Sequence, residues 1–249
     1  MADYIEGKRP IIEALRADVP IKHILMADNE KRDPLIEDIL RKARQRDVAV
    51  KEVSRKQLDE MSARGSHQGV IAQTKPYPYC GIGDLVDAAE KYAADHDGRA
   101  LIVILDHITD SGNLGAIIRS AESVGATGVI IPNKRSAHVD AATYKSSAGA
   151  ITHLPVAQTS NIVQSIKRLQ DAGFWIAAAT ERAESDIWDI NLKGKVGFVM
   201  GNEHDGVSRL VLEHCDLFGK LPMMGEVSSL NVAQASTACM YEWLRQNRA

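Results

Sequence analysis

From residue 97 onward the chain alternates between short unbroken apolar runs and longer stretches in which apolar residues recur every three or four positions. Runs such as "ALIVIL" (100–105) and "GVIIP" (128–132) have strand length and β-branched content, whereas "NLGAIIRSAESV" (113–124) carries Leu114, Ile117, Ile118 and Ala121 at helical spacing. The pattern predicts strands at 101–105, 128–131, 153–156, 174–179, 196–200 and 217–221. Helices are predicted at 113–124, near 140–148, and at 161–172, 207–213 and 231–246. Such alternation implies an α/β fold with a mostly parallel sheet covered on both faces, and ligands of these sheets sit at the carboxyl ends of the strands. The loops after 105, 179, 200 and 221 are therefore where chemistry is expected.

The first third has its own rhythm. "EGKRPIIEALR" predicts a short helix, "IKHILMA" a strand, and "DPLIEDILRKARQRD" a helix with Leu35, Ile36, Ile39, Leu40 and Ala43 on one side. "VAVKEV" follows as a strand, Ser54 opens another helix, and "GVIAQTK" is a strand again. Proline and glycine gather in "PYPYCGIG", which places a linker there, and a helix, "DLVDAAEKYAADH", comes next. The expected organisation is a small α/β domain over 1–76, a linker and helix over 77–96, and a larger α/β domain over 97–249.

Composition excludes several classes. The apolar runs of this 249-residue chain are too short to span a bilayer and "MADYIEGKRP" has no apolar signal core, so a cytoplasmic protein is expected. Cys80, Cys215 and Cys239 lie far apart, which suggests neither disulfides nor a zinc site, and no metal is expected. The net charge of −3 does not favour nucleic acid, but "RKARQRDVAVKEVSRK" (41–56) holds seven basic residues against two acidic ones. That segment is either a solvated helix and turn or a basic patch made by Arg41, Lys42, Arg44, Arg46, Lys51, Arg55 and Lys56.

Three segments concentrate polar residues at predicted strand ends. In "LDHITDSGNLGAIIRSA", Asn113 suits a helix cap, and Arg119 lies off the apolar stripe, on a face with Gly115 and Glu122. Its side chain either leans back over Gly115 towards Asp106 and Asn113 or pairs with Glu122 on the surface. In "KVGFVMGNEHDGVSRL" a strand runs into Gly-Asn-Glu, and Glu203 is either a turn residue or an acceptor for a ligand. In "GEVSSLNVAQASTACMYEWLRQ", Ser228, Ser229 and Asn231 crowd the mouth of an amphipathic helix, more polar groups than one cap requires, so the surplus serves local turns or contacts to something else. Neither a dinucleotide-binding G-x-G-x-x-G nor a Walker pattern occurs.

Together, "NLGAIIRSA", "VMGNE" with its following glycine, and "LPM" with "SSLNVA" resemble the three motifs of the SpoU (TrmH-like) family of RNA ribose 2′-O-methyltransferases in the SPOUT superfamily. "YIEGKRPIIEAL" and "HQGVIAQ" resemble the small RNA-binding domain of its RlmB branch, so the likeness covers nearly the whole chain. Ser111 departs from a proline common in the first motif, and His204–Asp205 from a glycine common after the second.

The resemblance implies a trefoil-knotted catalytic domain, a homodimer whose active site draws on both subunits, and S-adenosylmethionine held mainly by backbone groups around Gly201, Leu221 and Leu230, with Thr180 and Met223 beside them. It implies catalytic roles for Arg119, Asn113, Glu203, Ser229 and Asn231. The implied substrate is a guanosine of large-subunit ribosomal RNA, gripped by the N-terminal domain. The alternatives are a tRNA ribose 2′-O-methyltransferase and a non-catalytic RNA-binding or ribosome assembly factor of the same fold.

Overall fold

The computed structural model describes residues 4–28, 30, 33–62, 67–202, 205–227 and 229–248. The chain forms two units. Residues 1–78 with 140–145 make the smaller, and residues 79–139 with 146–249 the larger.

In the smaller unit, β1 (Tyr4–Glu6), α1 (Lys8–Arg16), β2 (Ile21–Ala27), α2 (Pro34–Gln45), β3 (Val50–Val53), α3 (Arg55–Met61) and β4 (Val70–Thr74) follow in order. The four strands form one sheet in the order β1-β4-β2-β3, with β4 antiparallel to both neighbours and β2 parallel to β3. β1 is too short for a hydrophobic period to reveal. Asp33 caps α2 by accepting from the Ile36 N–H at 2.9 Å, with Pro34 in the first turn where no amide is missed. Ser54 and Gln57 form a capping box on α3. Leu58 of α3 is buried against Leu25, Ala27 and Ile71, which lie on one face of the sheet.

The larger unit continues through α4 (Ile82–Asp95), β5 (Ala100–Asp106), α5 (Ser111–Ser123) and β6 (Gly128–Pro132). After α6 (Ala141–Ser146), nearly all of which belongs to the smaller unit, a single 3₁₀ turn at Ala150–Thr152 precedes β7 (Val156–Thr159). Then come α7 (Ile162–Asp171), β8 (Trp175–Ala179), β9 (Lys195–Gly201), α8 (Arg209–Leu212), β10 (Leu217–Gly219) and α9 (Val232–Asn247). Six strands make an all-parallel sheet in the order β10-β8-β9-β5-β6-β7. β5 is buried along its whole length, as a central strand covered on both faces must be. On one face Ile102, Ile104, Ile130 and Val199 pack with Leu85 and Ala89 of α4 and Ile166 and Leu169 of α7. α5 and α9 lie together, α5 touching β6 and α9 touching β9.

Several expectations shift, α8 and β10 being shorter than the 207–213 and 217–221 predicted. β7 begins at Val156 rather than 153, because residues 150–152 form the 3₁₀ turn. The cap of α5 is Asp110, whose carboxylate accepts from the Asn113 N–H at 2.7 Å, so Asn113 sits in the first turn and its side chain is released from capping. Ser111 occupies the first helical position, where a proline is equally tolerated.

Candidate active site

The carboxyl ends of β8, β9 and β10 enclose a cavity of about 230 Å³. Thr180, Glu181 and Arg182 contribute from the end of β8, Gly201, Asn202, Asp205 and Gly206 from the end of β9, and Lys220, Leu221 and Met223 from beyond β10. Ser229, Leu230, Val232 and Ala235 close it from the entrance and first turn of α9. All five positions expected to hold a cofactor, Thr180, Gly201, Leu221, Met223 and Leu230, lie on its wall.

Gly201 is dictated by close packing. A Cβ there would lie 2.1 Å from the carbonyl carbon of Gly206 and from the amide nitrogen of Val207, so no side chain fits. The chain returns so tightly because Asn202 and Gly206 exchange both main-chain hydrogen bonds, at 3.0 and 2.9 Å, with Gly206 in the left-handed region at φ +69°. Asp106, only 1% exposed at the end of β5, braces this loop from behind. Its carboxylate accepts from the Ser208 N–H at 2.7 Å and from His107 Nδ1 at 2.6 Å, and the His107 carbonyl accepts from Asn202 Nδ2 at 2.8 Å.

The lip beyond β10 is built differently. Leu230 is 46% exposed and Met223 38%, apolar surface that a folded chain ordinarily covers. Among the described residues no hydrogen bond engages the main chain of 221–227, 229 or 230. Apolar walls with free main-chain donors and acceptors suit a planar heterocycle with a polar edge.

Asn231 resolves part of the crowding at the helix mouth. Its Oδ1 caps α9 by accepting from the Ala233 N–H at 2.9 Å, and its Nδ2 donates to Asn113 Oδ1 at 3.0 Å, tying the start of α9 to the start of α5. Ser120 and Thr237 hydroxyls meet at 2.7 Å further along the same seam. Ser229 faces the cavity; Asn113 and Asn231 stand outside its wall. Arg119, two turns along α5, is exposed and also outside the wall, and its guanidinium forms no ion pair with Glu122 or any other described residue. Glu203, like His204 and Ser228, lies outside the described residues.

Of the seven basic residues between 41 and 56, five face acids. Arg41 and Lys42 pair with Asp38, Arg46 with Asp18, Arg55 with Glu30 at 3.8 Å and Lys56 with Glu60 at 4.0 Å. Arg44 and Lys51 are exposed with no carboxylate partner among the described residues.

The sequence missed Glu181, Arg182, Asn202 and Lys220 on the cavity wall. Glu181 and Arg182 directly follow Thr180 at a strand end, and that position was the available signal. Among the described residues no His, Cys, Asp and Glu cluster offers a metal site, and no helix is long and apolar enough to cross a membrane.

These features define a parallel α/β unit with a cavity at its strand ends, in a chain that also holds a second, smaller α/β unit. The profile described as the SpoU rRNA Methylase family matches residues 100–241, and the one described as RNA 2′-O ribose methyltransferase substrate binding matches residues 4–80. The chain belongs to the SpoU family. It is 36% identical over 98% of its length to YacO of Bacillus subtilis, named provisionally as a TrmH family tRNA/rRNA methyltransferase, and covers 96% of that protein. It is 35% identical over 98% of its length to the 23S rRNA (guanosine-2′-O-)-methyltransferase RlmB of Xanthomonas axonopodis, again covering 96%. Among solved structures it resembles the SpoU methyltransferase AviRb of Streptomyces viridochromogenes in complex with the cofactor AdoMet. The TM-score is 0.69 at 25% identity, over 98% of this chain and 90% of the other.

Proposed function

We propose that this protein transfers a methyl group from S-adenosylmethionine to a ribose 2′-hydroxyl, and that its substrate is a guanosine of large-subunit ribosomal RNA in the cytoplasm. One observation carries the reading: Thr180, Gly201, Leu221, Met223 and Leu230, named from sequence motifs alone, converge on a single cavity. The similarity to RlmB, which is named as a 23S rRNA guanosine methyltransferase, supports the choice of RNA.

The residues present fit the cofactor. The apolar sides of Leu221, Met223 and Leu230 suit an adenine, and the unengaged main chain around them suits its polar edge. Arg182 and Lys220 on the wall suit a carboxylate, and Glu181 and Asp205 suit ribose hydroxyls or an ammonium group. When bound, the sulfonium supplies an activated methyl carbon. The chain's own residues must then hold the 2′-oxygen in line with it, and such alignment can contribute roughly 7–11 kcal/mol.

Arg119 is the group assigned to the reacting hydroxyl. A guanidinium is hard to deprotonate, with a pKa above about 12, so it orients the hydroxyl and stabilises the developing alkoxide rather than acting as a base. Asn113, Ser229 and Asn231 frame the ribose, together with Glu203. Because Arg119 does not line its own chain's cavity, we place the active site in a homodimer and draw it from both copies. Mixing an Arg119→Ala chain with a chain disabled at the cavity is then expected to restore activity that neither has alone, and no recovery would overturn the shared site. The reaction is tested by mapping ribose methylation on ribosomal RNA and tRNA from cells with and without the gene. Loss of one mark in large-subunit RNA is expected; loss of a tRNA mark would reassign the substrate, and loss of none would remove the enzyme.

A further inference from the structure

The N-terminal sheet carries a row of side chains that neither its fold nor the cavity accounts for. Antiparallel partners project to the same face, and Gln73 is paired with Tyr4 on one side and His23 on the other. Tyr4, Gln73 and His23 therefore stand side by side across β1, β4 and β2. The next row on that face, Ile71 and Leu25, is covered by Leu58 of α3. The helix stops there. Tyr4 remains 40% exposed, and Gln73 and His23 are half-buried.

The rim of the row is cationic. Lys51, two positions along the same face through its pairing with Leu25, is exposed, as are Lys22 beside His23 and Lys75 at the end of β4. None of the three lysines has a carboxylate partner among the described residues. This contrasts with α2 and α3, where every basic residue except Arg44 is matched by an acid. Among the strand residues described on this face the acid is Glu6, which accepts from the Ser62 hydroxyl at 2.5 Å. Burial, with Lys51 and Lys22 alongside, holds the His23 imidazole below its usual pKa, so at neutral pH it is an uncharged flat ring.

We infer that Tyr4, Gln73 and His23, rimmed by Lys22, Lys51 and Lys75, form a platform for single-stranded RNA, with bases stacked on the two rings, a base edge read by the Gln73 amide and phosphates held by the lysines. Unpaired RNA is recognised by stacking on aromatic side chains and hydrogen bonding to base edges. The charge belongs to the same logic, since phosphate contacts position a strand while flat and amide groups read it. The inference rests on the RNA-methyltransferase reading only in taking RNA as the ligand, and it moves the contact from the helix-borne arginines to an open sheet face.

The test uses the full-length chain and two fluorescent probes, an RNA hairpin with a long unpaired loop and a blunt RNA duplex. The hairpin is expected to bind more tightly. Tyr4→Ala is expected to weaken hairpin binding about ten-fold while Tyr4→Phe, which keeps the ring, restores it. Lys51→Ala with Lys75→Ala should flatten the salt dependence of binding. If Tyr4→Ala melts early, His23→Ala and Gln73→Ala, at partly exposed positions, decide the matter in its place. The platform is overturned if the well-folded variants bind the hairpin as the parent does, or if the duplex binds equally well. Calorimetric titration with S-adenosylmethionine and methylation of ribosomal RNA by the parent chain read the active-site proposal separately. Neutral platform variants of a methylating enzyme would sink the platform alone.

Discussion

The two sheets leave different things unsatisfied. In the larger unit the side chains of the central strands β5, β6 and β9 are consumed by packing, and at the cavity lip what remains open is main chain and apolar surface, around Leu221, Met223 and Leu230. In the smaller unit the ladder pairs four strands and what remains open is side chains, Tyr4, Gln73, His23 and unpaired lysines. A small heterocyclic cofactor is matched by fixed amides and carbonyls at a strand end, whereas a flexible polyanion is matched by rings and cations spread over a surface. On the proposed reading the difference separates methyl-donor binding from RNA selection, and the substitutions below probe it.

The largest expected effect is at Arg119. Arg119→Ala should lower methyl transfer by at least about a hundred-fold, the usual cost of removing one donor to a developing oxyanion. RNA affinity and cofactor affinity should change little, since the side chain touches neither the cavity wall nor any described carboxylate. Single-turnover methylation measured beside anisotropy and calorimetry separates these quantities. Near-normal turnover would take Arg119 out of the mechanism.

Gly201→Ala comes next and acts on the cofactor alone. The added methyl meets the backbone of Gly206 and Val207, not a side chain that could swing aside, so the loop from Asn202 to Gly206 must shift. The strain is of order 1–3 kcal/mol. Cofactor binding should weaken roughly ten- to a hundred-fold, by the same arithmetic, while the hairpin affinity of the N-terminal unit is preserved. Loss of both together would show that the units are not separable in function.

Asn231→Ala should have a mixed and smaller effect. Removing the cap of α9 costs about 1 kcal/mol of stability, and removing the amide breaks the hydrogen bond to Asn113. Asn231→Ser restores a cap but is too short to reach Asn113. Stability that returns without turnover would assign the Asn113–Asn231 link to the reaction; turnover that returns with stability would make it structural.

Much of the larger unit was legible because fully buried parallel strands read as unbroken apolar runs, and β5, β6 and β9 fell where "ALIVIL", "GVIIP" and "KVGFVMG" placed them. β7 was displaced because the 3₁₀ turn at 150–152 and the turn and bend that follow it delay the ladder until Val156. Of the site, the loops were legible and the detailed roles less so. Asn113 looked like a cap because its residue type suits one, and only coordinates show that Asp110 takes that role and frees Asn113 for Asn231. The neutralisation of Arg46 and Arg55 was invisible for a related reason: a basic run reads as a patch until the fold brings Asp18 and Glu30 against it, while Asp38 and Glu60 meet Arg41, Lys42 and Lys56 at helical spacing. The platform was hidden because β1 is three residues long and its register against β4 cannot be read from the chain.

The smallest expected effect bounds the electrostatics of the larger unit. Glu242 of α9 is buried and accepts from Arg245 Nε and Nη2, both at 2.8 Å, and from Gln246 Nε2 at 2.7 Å. The Arg245 guanidinium first, and then the Gln246 amide, outweigh burial and hold its carboxyl below the ordinary range. A depressed folded-state pKa means a stabilisation fully present above the unfolded value of about 4.3, and lost as the pH falls through the lower folded value. Arg245 is largely exposed, so solvent screening keeps the contribution small. Glu242→Gln should therefore lower the thermal midpoint slightly at pH 7, and the difference from the parent should vanish in strong acid. A difference that persisted in acid would reveal a packing role for the side chain instead. Hairpin binding by the proposed platform should be untouched at pH 7, because Glu242 belongs to the larger unit and the platform to the smaller.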